Sequence, residues 1–368
     1  MQRIQLVQVG IGTVGGAVIE QVLDHREQWR HELGLNITVA GIVGTGGALV
    51  SEQTDGFDEQ FLRAAVAKRR SGAAIDEAGA TLAEPLAAIE RVAERGTVVV
   101  MDAAAGDAPA AIDAQALALG GGVVLSNKAP LALPVGSPVG DALWAAAGPK
   151  GHLRYEATCG AGLPVISTMR ALLDTGDEIM EITGTLSGTL GAIFSDVAKE
   201  SPFSAAVRSA KERGYTEPDP RDDLSGLDVA RKALILARTL GRQVDLSDIE
   251  VESLVPPELR DAGVDEFLAR VSMLDDEIGR RAADAAAGGQ TLKYVMSVQP
   301  TGPIAVGLRT VDRRTVLGAL QGPENVITFR TKRYDAYPLN VTGPGAGAAV
   351  TAAGMVADML ALALGPLR

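Results

Sequence analysis

The chain has one cysteine, three histidines and few aromatic residues, and each scarcity removes a class of function. Cys159 alone closes no intramolecular disulfide and builds no cysteine-cluster metal site, so a reducing, cytoplasmic setting is expected. Aromatics at 4% leave little for stacking nucleic-acid bases. No basic stripe offsets the formal net charge of −12, which opposes binding to nucleic acid and to anionic membranes. Membrane-length hydrophobic runs are missing too. The most apolar stretch, residues 348–364, carries Asp358 among small side chains and predicts a buried helix rather than a span. Gly10 interrupts the N-terminal apolar run too early for a signal-peptide core. Internal repeats are absent.

Glycine is plentiful, at 43 of 368 residues, and the apolar fraction is 46%. That length and composition suit a soluble α/β protein of two domains. Residues 3–9, 37–43, 97–101 and 122–126 read as strands, and 14–29, 57–69, 84–95 and 107–119 have helical character. Strands separated by helix-length segments predict a parallel sheet with helices on both faces. From residues 145–152 onward the texture changes. Segments 153–157, 178–187, 292–299, 304–311 and 324–334 alternate in polarity and predict a mixed or antiparallel sheet. The expected division is 1–150 and 151–344.

Five motifs carry candidate chemistry. Gly10-Ile11-Gly12-Thr13-Val14-Gly15 follows a strand and opens a helix, the context of the dinucleotide fingerprint. Its usual acidic partner at the end of the second strand is missing: residues 41–50 hold neither Asp or Glu for a ribose hydroxyl nor Arg for a 2′-phosphate. NADP is therefore permitted beside NAD. Lys128, in "SNKAPLAL", follows the strand 122–126 at its carboxyl end, where open α/β sheets bind ligands. "YEATCGAGLPVIS" (155–167) holds a glycine turn and Cys159, a candidate thiolate nucleophile that would need a base. "GTLSGTLGAIF" (184–194) reads as strand, turn and helix, whose unpaired N–H groups suit a carboxylate.

The fifth, "GYTEPDPRDDLSGLDVARK" (214–232), holds Glu217, Asp219, Asp222, Asp223 and Asp228 before Arg231 and Lys232. Asp222 and Asp223 are natural N-caps for a helix running to about Leu240 and stopped by Gly241. Asp228 and Lys232 are four residues apart on one stripe of a largely apolar helix, which places the pair at a buried edge. A solvated acidic loop and a purely structural ion pair are the bland alternatives.

These motifs, with "GPGAGAAVTAAG" (343–354), occur in an order that resembles the homoserine dehydrogenase family in its short fungal-type form. The resemblance covers essentially the whole chain. It implies NAD(P)-dependent interconversion of L-homoserine and L-aspartate 4-semialdehyde, in threonine and methionine biosynthesis. It implies a Rossmann-type domain completed by a C-terminal helix at 345–368, a mixed-sheet α+β catalytic domain and a homodimer. No regulatory ACT domain or fused aspartokinase is expected.

By the same resemblance, Gly188, Thr189, Tyr215, Glu217, Asp223, Asp228 and Lys232 bind substrate. Gly10 to Gly15, Ala104, Lys128 and Gly347 meet the cofactor, NADP being favoured over NAD, and Lys128 lies between cofactor and substrate. A monovalent cation, sodium, is held by Glu156 and the main-chain oxygens of Cys159, Ala161 and Leu163. Two positions depart from the family: Ala103-Ala104 replace Asn-Thr after Asp102, and Pro344 interrupts the terminal glycine turn. Lys232, positioned by Asp228, is the expected proton relay, with Lys128 assisting. Two rivals remain at this point: an aspartate-semialdehyde dehydrogenase using Cys159 as nucleophile, and a dinucleotide sensor with no use for the Asp228–Lys232 pair.

Overall fold

The computed structural model describes residues 1–75, 79–148 and 150–365. They divide into two units: Met1–Gly162 together with the chain from Ala346, and Leu163–Gly345.

In the first unit a sheet is built from β1 (Gln2–Val9), β2 (Leu35–Gly44), β3 (Gly47–Ser51), β4 (Ala80–Ala83), β5 (Thr97–Asp102), β6 (Gly122–Leu125) and β7 (Leu153–Arg154). Their order is β4-β3-β2-β1-β5-β6-β7. From β2 to β7 the strands run parallel, and β1 is buried continuously from Ile4 to Val9, as a strand covered on both faces must be. The antiparallel pair β3 and β4 was not expected. Thr45 and Gly46 reverse the chain in a two-residue turn between the paired Gly44 and Gly47, so no helical spacer announces a new strand.

The C-terminal helix Ala348–Leu364 belongs to this unit. Its Ala352, Met355, Met359 and Leu362 share one core with Val18, Val22 and Met101. Gln21 Nε2, on the helix Thr13–Leu33, donates to the Ala349 carbonyl at 2.8 Å. Residues 366–368 of the expected completing segment, and Pro149 within the expected joint, lie outside the described residues. The joint itself falls later than residue 150. β7 pairs with β6, and the Glu156 N–H donates to Asp358 Oδ2 at 2.8 Å, which ties 153–156 to the first unit. Segment 153–157 is thus corrected from the second sheet to the first. Among the described residues no helix is long and apolar enough to cross a membrane.

The second unit is built on a mixed sheet of β8 (Ile179–Thr185), β9 (Ile249–Val251), β10 (Gln290–Val298), β11 (Ile304–Asp312), β12 (Glu324–Thr331) and β13 (Leu339–Pro344). The order is β13-β12-β8-β10-β11-β9, antiparallel except for β9 beside β11. Four strands fall where polarity alternates. β9, at three residues, is too short to show a period, and β13 ends in Gly343-Pro344, which reads as a turn. Pro344 closes the edge strand, a place where a strand tolerates a missing N–H.

The single helix expected from Asp222 or Asp223 to Leu240 is two. Asp219, not Asp222 or Asp223, caps Pro220–Leu224, because Pro220 fixes the first helical position and the Asp219 carboxylate accepts the Arg221 N–H at 3.0 Å. Leu227–Thr239 then starts afresh from Gly226 at φ 76°. A Cβ at that position would lie 2.0 Å from the Tyr294 hydroxyl, so glycine alone makes this break.

Candidate cofactor and amino-acid sites

The fingerprint in the first unit is assembled from three glycines with different tasks. Gly10 turns at φ 75° and abuts Ala104, whose Cα would be 3.0 Å from a Cβ there. Gly12 is the N-cap of the helix Thr13–Leu33 and has open space around it, a cradle that any side chain would fill. At Gly15 a Cβ would stand 1.9 Å from the Gly10 carbonyl, so helix and turn pack closely only without one. Ile11 is buried beneath, Val14 is half-buried, and Gly12 and Thr13 are exposed. An exposed helix start with unpaired N–H groups fits the pyrophosphate of a dinucleotide.

Beside this turn, Asp102 at the end of β5 clasps two loops. Its Oδ1 accepts the Ala104 N–H at 2.8 Å and its Oδ2 accepts Asn127 Nδ2 at 3.0 Å. Asn127 also donates to the Gly106 carbonyl at 2.8 Å and accepts the Ala129 N–H at 3.1 Å. Ala104 is therefore placed through its backbone, whatever its side chain has lost. Lys128, half-buried, follows directly on the clasped Asn127. Burial raises Asp102 to about 6 against the pull of those two donors. Asp113 behind it is fully buried, neither of its carboxylate oxygens has a partner, and burial and the Asp102 charge push it well above the carboxylate range. Gly347, at φ 127°, opens the C-terminal helix of the same unit.

In the second unit Lys232 is buried on the helix Leu227–Thr239, and its Nζ meets Asp228 Oδ2 at 2.8 Å and the Leu186 carbonyl at 2.5 Å. Asp228 is half-exposed, so the pair spans the boundary between core and surface. Leu186 leads into Ser187, whose hydroxyl caps the helix Gly188–Val197 by accepting the Leu190 N–H at 3.2 Å. Gly188 and Thr189 occupy the start of that helix, where N–H groups precede the first intrahelical bond.

Asp223 organises the neighbouring loop. Its Oδ1 lies 2.7 Å from the Thr189 hydroxyl and its Oδ2 accepts the Glu217 N–H at 2.8 Å. The Thr189 hydroxyl also reaches the Tyr215 carbonyl at 2.5 Å. The Thr189 hydroxyl thus lies between two acceptors, the Asp223 carboxylate and the Tyr215 carbonyl. Burial raises Asp223, with the Glu217 N–H and the Thr189 hydroxyl pulling the other way and the charges of Glu217 and Asp228 adding to the rise. The Glu217 carboxylate is exposed and has no partner among the described residues, and Tyr215 is exposed beneath the Arg213 guanidinium.

All seven expected substrate residues therefore lie in one unit, linked through Leu186–Thr189 and Asp223. Lys128 and the fingerprint lie in the other. The Asp102–Asn127 clasp was missed by sequence reading, although Asn127 adjoins Lys128 and an Asp ending a central strand was its signal. Cys159 is fully buried beside the Thr158 hydroxyl, at 3.7 Å. Among the described residues no three His, Cys, Asp or Glu side chains converge as a metal centre.

A Rossmann-type unit with an open glycine fingerprint and a mixed-sheet unit bearing an acid–lysine cluster place the chain among two-unit α/β proteins of dinucleotide-binding architecture. The homoserine dehydrogenase family model matches residues 164–360. The chain belongs to the homoserine dehydrogenase family. It is 38% identical over 357 residues to a Zea mays bifunctional aspartokinase/homoserine dehydrogenase, covering 96% of this chain and 38% of that one. The first curated relatives are thus much longer proteins, of which it spans well under half. A Candida auris structure, described as of unknown function, superposes with a TM-score of 0.85 at 30% identity, covering 99% of both chains. A provisionally named homoserine dehydrogenase from Archaeoglobus fulgidus gives a TM-score of 0.75 at 26% identity, over 98% of this chain and all of that one.

Proposed function

We propose that the protein interconverts L-aspartate 4-semialdehyde and L-homoserine with NAD(P). The observation that carries this reading is the buried Lys232, held by Asp228 and the Leu186 carbonyl one residue before the Ser187 cap. An amino-acid substrate explains both halves of the cluster: its carboxylate suits the helix start at Gly188 and Thr189, and its ammonium suits the exposed Glu217. When bound, the dinucleotide supplies the hydride. Reduction of the aldehyde leaves an alkoxide that takes one proton, and Lys232 is the donor, aligned by Asp228. Asp223, one of the substrate residues, also holds Thr189 and the Tyr215–Glu217 loop in place through its two oxygens. Lys128 assists from the cofactor side of the reaction.

NADP is favoured over NAD, because the β2–β3 turn offers no carboxylate to repel a 2′-phosphate. Glu156 and the carbonyls of Cys159, Ala161 and Leu163 form a hard-oxygen donor set suited to sodium. Successive left-handed residues, Gly160 at φ 92° and Ala161 at φ 56°, curl that backbone, which supports this reading. The ion would supply charge that orders the turn. Exposed Tyr334 and Tyr337, on the β12–β13 loop, support assembly as a homodimer, and the single buried thiol suits the cytoplasm.

The test is nicotinamide oxidation with aspartate semialdehyde, repeated with Cys159→Ser. Retained activity in that variant removes the nucleophilic-cysteine alternative. No turnover by the unmodified protein removes the proposal.

A further inference from the structure

Lys293 is a buried cation that the proposed chemistry does not use. It lies on β10, 4% exposed, and its Nζ donates to the Leu320 carbonyl at 2.5 Å. Among the described residues that carbonyl is its one partner, and no carboxylate stands within ion-pair distance. Burial alone pushes its pKa down. Burying an ammonium against a single carbonyl is unfavourable, so what it secures matters.

The segment it secures lies directly against the first turn of the helix Gly188–Val197. The Gly322 N–H donates to Ser195 Oγ at 2.8 Å, and Ser195 in turn bonds the Gly191 carbonyl at 2.7 Å. The Gly322 carbonyl lies 2.7 Å from where a Cβ of Gly191 would be, and the Pro323 carbonyl 3.2 Å from that of Gly188. Glycines at 188 and 191 thus admit the segment 320–323 onto the helix start, and two pins, Lys293 and Ser195, hold it there.

We propose that Lys293 is a positioning residue for the amino-acid site, fixing the Gly188–Thr189 turn through the Leu320–Pro323 backbone. This rests on the reading of that turn as the carboxylate site. Lys293→Met raises KM for aspartate semialdehyde about tenfold, with kcat and the NADPH dissociation constant little changed. Lys293→Arg restores most of the loss. Ser195→Ala, which leaves every charge in place, raises KM in the same direction.

A lowered Tm in Lys293→Met with KM unchanged overturns the proposal, since that is what a purely structural lysine gives. Should Lys293→Met not fold, Ser195→Ala decides: unchanged KM overturns it. Hydrogen exchange at Leu190 and Gly191 supplies a readout independent of turnover. Faster exchange in Lys293→Met supports the pin even if the unmodified protein turns over no semialdehyde, a result that would instead overturn the substrate reading. Unchanged exchange overturns the pin itself.

Discussion

At the scale of the residue, charge placed against the core distinguishes structure from chemistry here. Lys232→Met keeps the length of the side chain and removes the proton, so kcat is expected to fall about 10²- to 10⁴-fold in both directions with the fold intact, as steady-state rates and circular dichroism would show. Retention of near-normal kcat would reassign the relay to Lys128. Asp113 makes a different prediction. Its folded pKa is raised, so the folded protein keeps a proton that the unfolded chain releases above about pH 4. Stability is therefore lost progressively as pH rises from there. Asp113→Asn preserves the shape and removes the ionisation. Its Tm should match that of the parent near pH 4 and exceed it at pH 7.5; a constant difference across that range would contradict the assignment.

At the scale of the element, the sequence was most informative where period and punctuation agreed. The parallel strands before residue 126, the fingerprint turn, the "LSGTLG" cap and the 348–364 helix all announce themselves through apolar periodicity bounded by glycine. Less visible was whatever depended on a distant partner. Nothing local shows that Gly226 breaks the acidic segment into two helices, because the reason is the Tyr294 hydroxyl on β10. Likewise the β2–β3 hairpin, β9 and the Asp102–Asn127 clasp arise from pairings remote in sequence or too short to show a period. Gly226→Ala combines a left-handed φ with that steric overlap and should cost about 2 kcal/mol or more, measured by denaturant unfolding. Because the break sets the start of the Lys232 helix, kcat should fall with it.

At the scale of the whole molecule, the two units carry separable tasks. Gly15→Val places a side chain against the Gly10 carbonyl and should abolish NADPH binding, read by fluorescence titration, while leaving the fold of the second unit unaltered by hydrogen exchange. Residues 41–50, without an acid to repel a 2′-phosphate, predict that NADPH is used at least as well as NADH. The measurement that bears most directly on the central claim follows absorbance at 340 nm with aspartate semialdehyde, using NADPH and NADH side by side, for the parent protein and Lys232→Met. The account predicts turnover by the parent, faster with NADPH, and its near-complete loss in the variant. Absence of turnover with either dinucleotide, or equal rates for parent and variant, would contradict it.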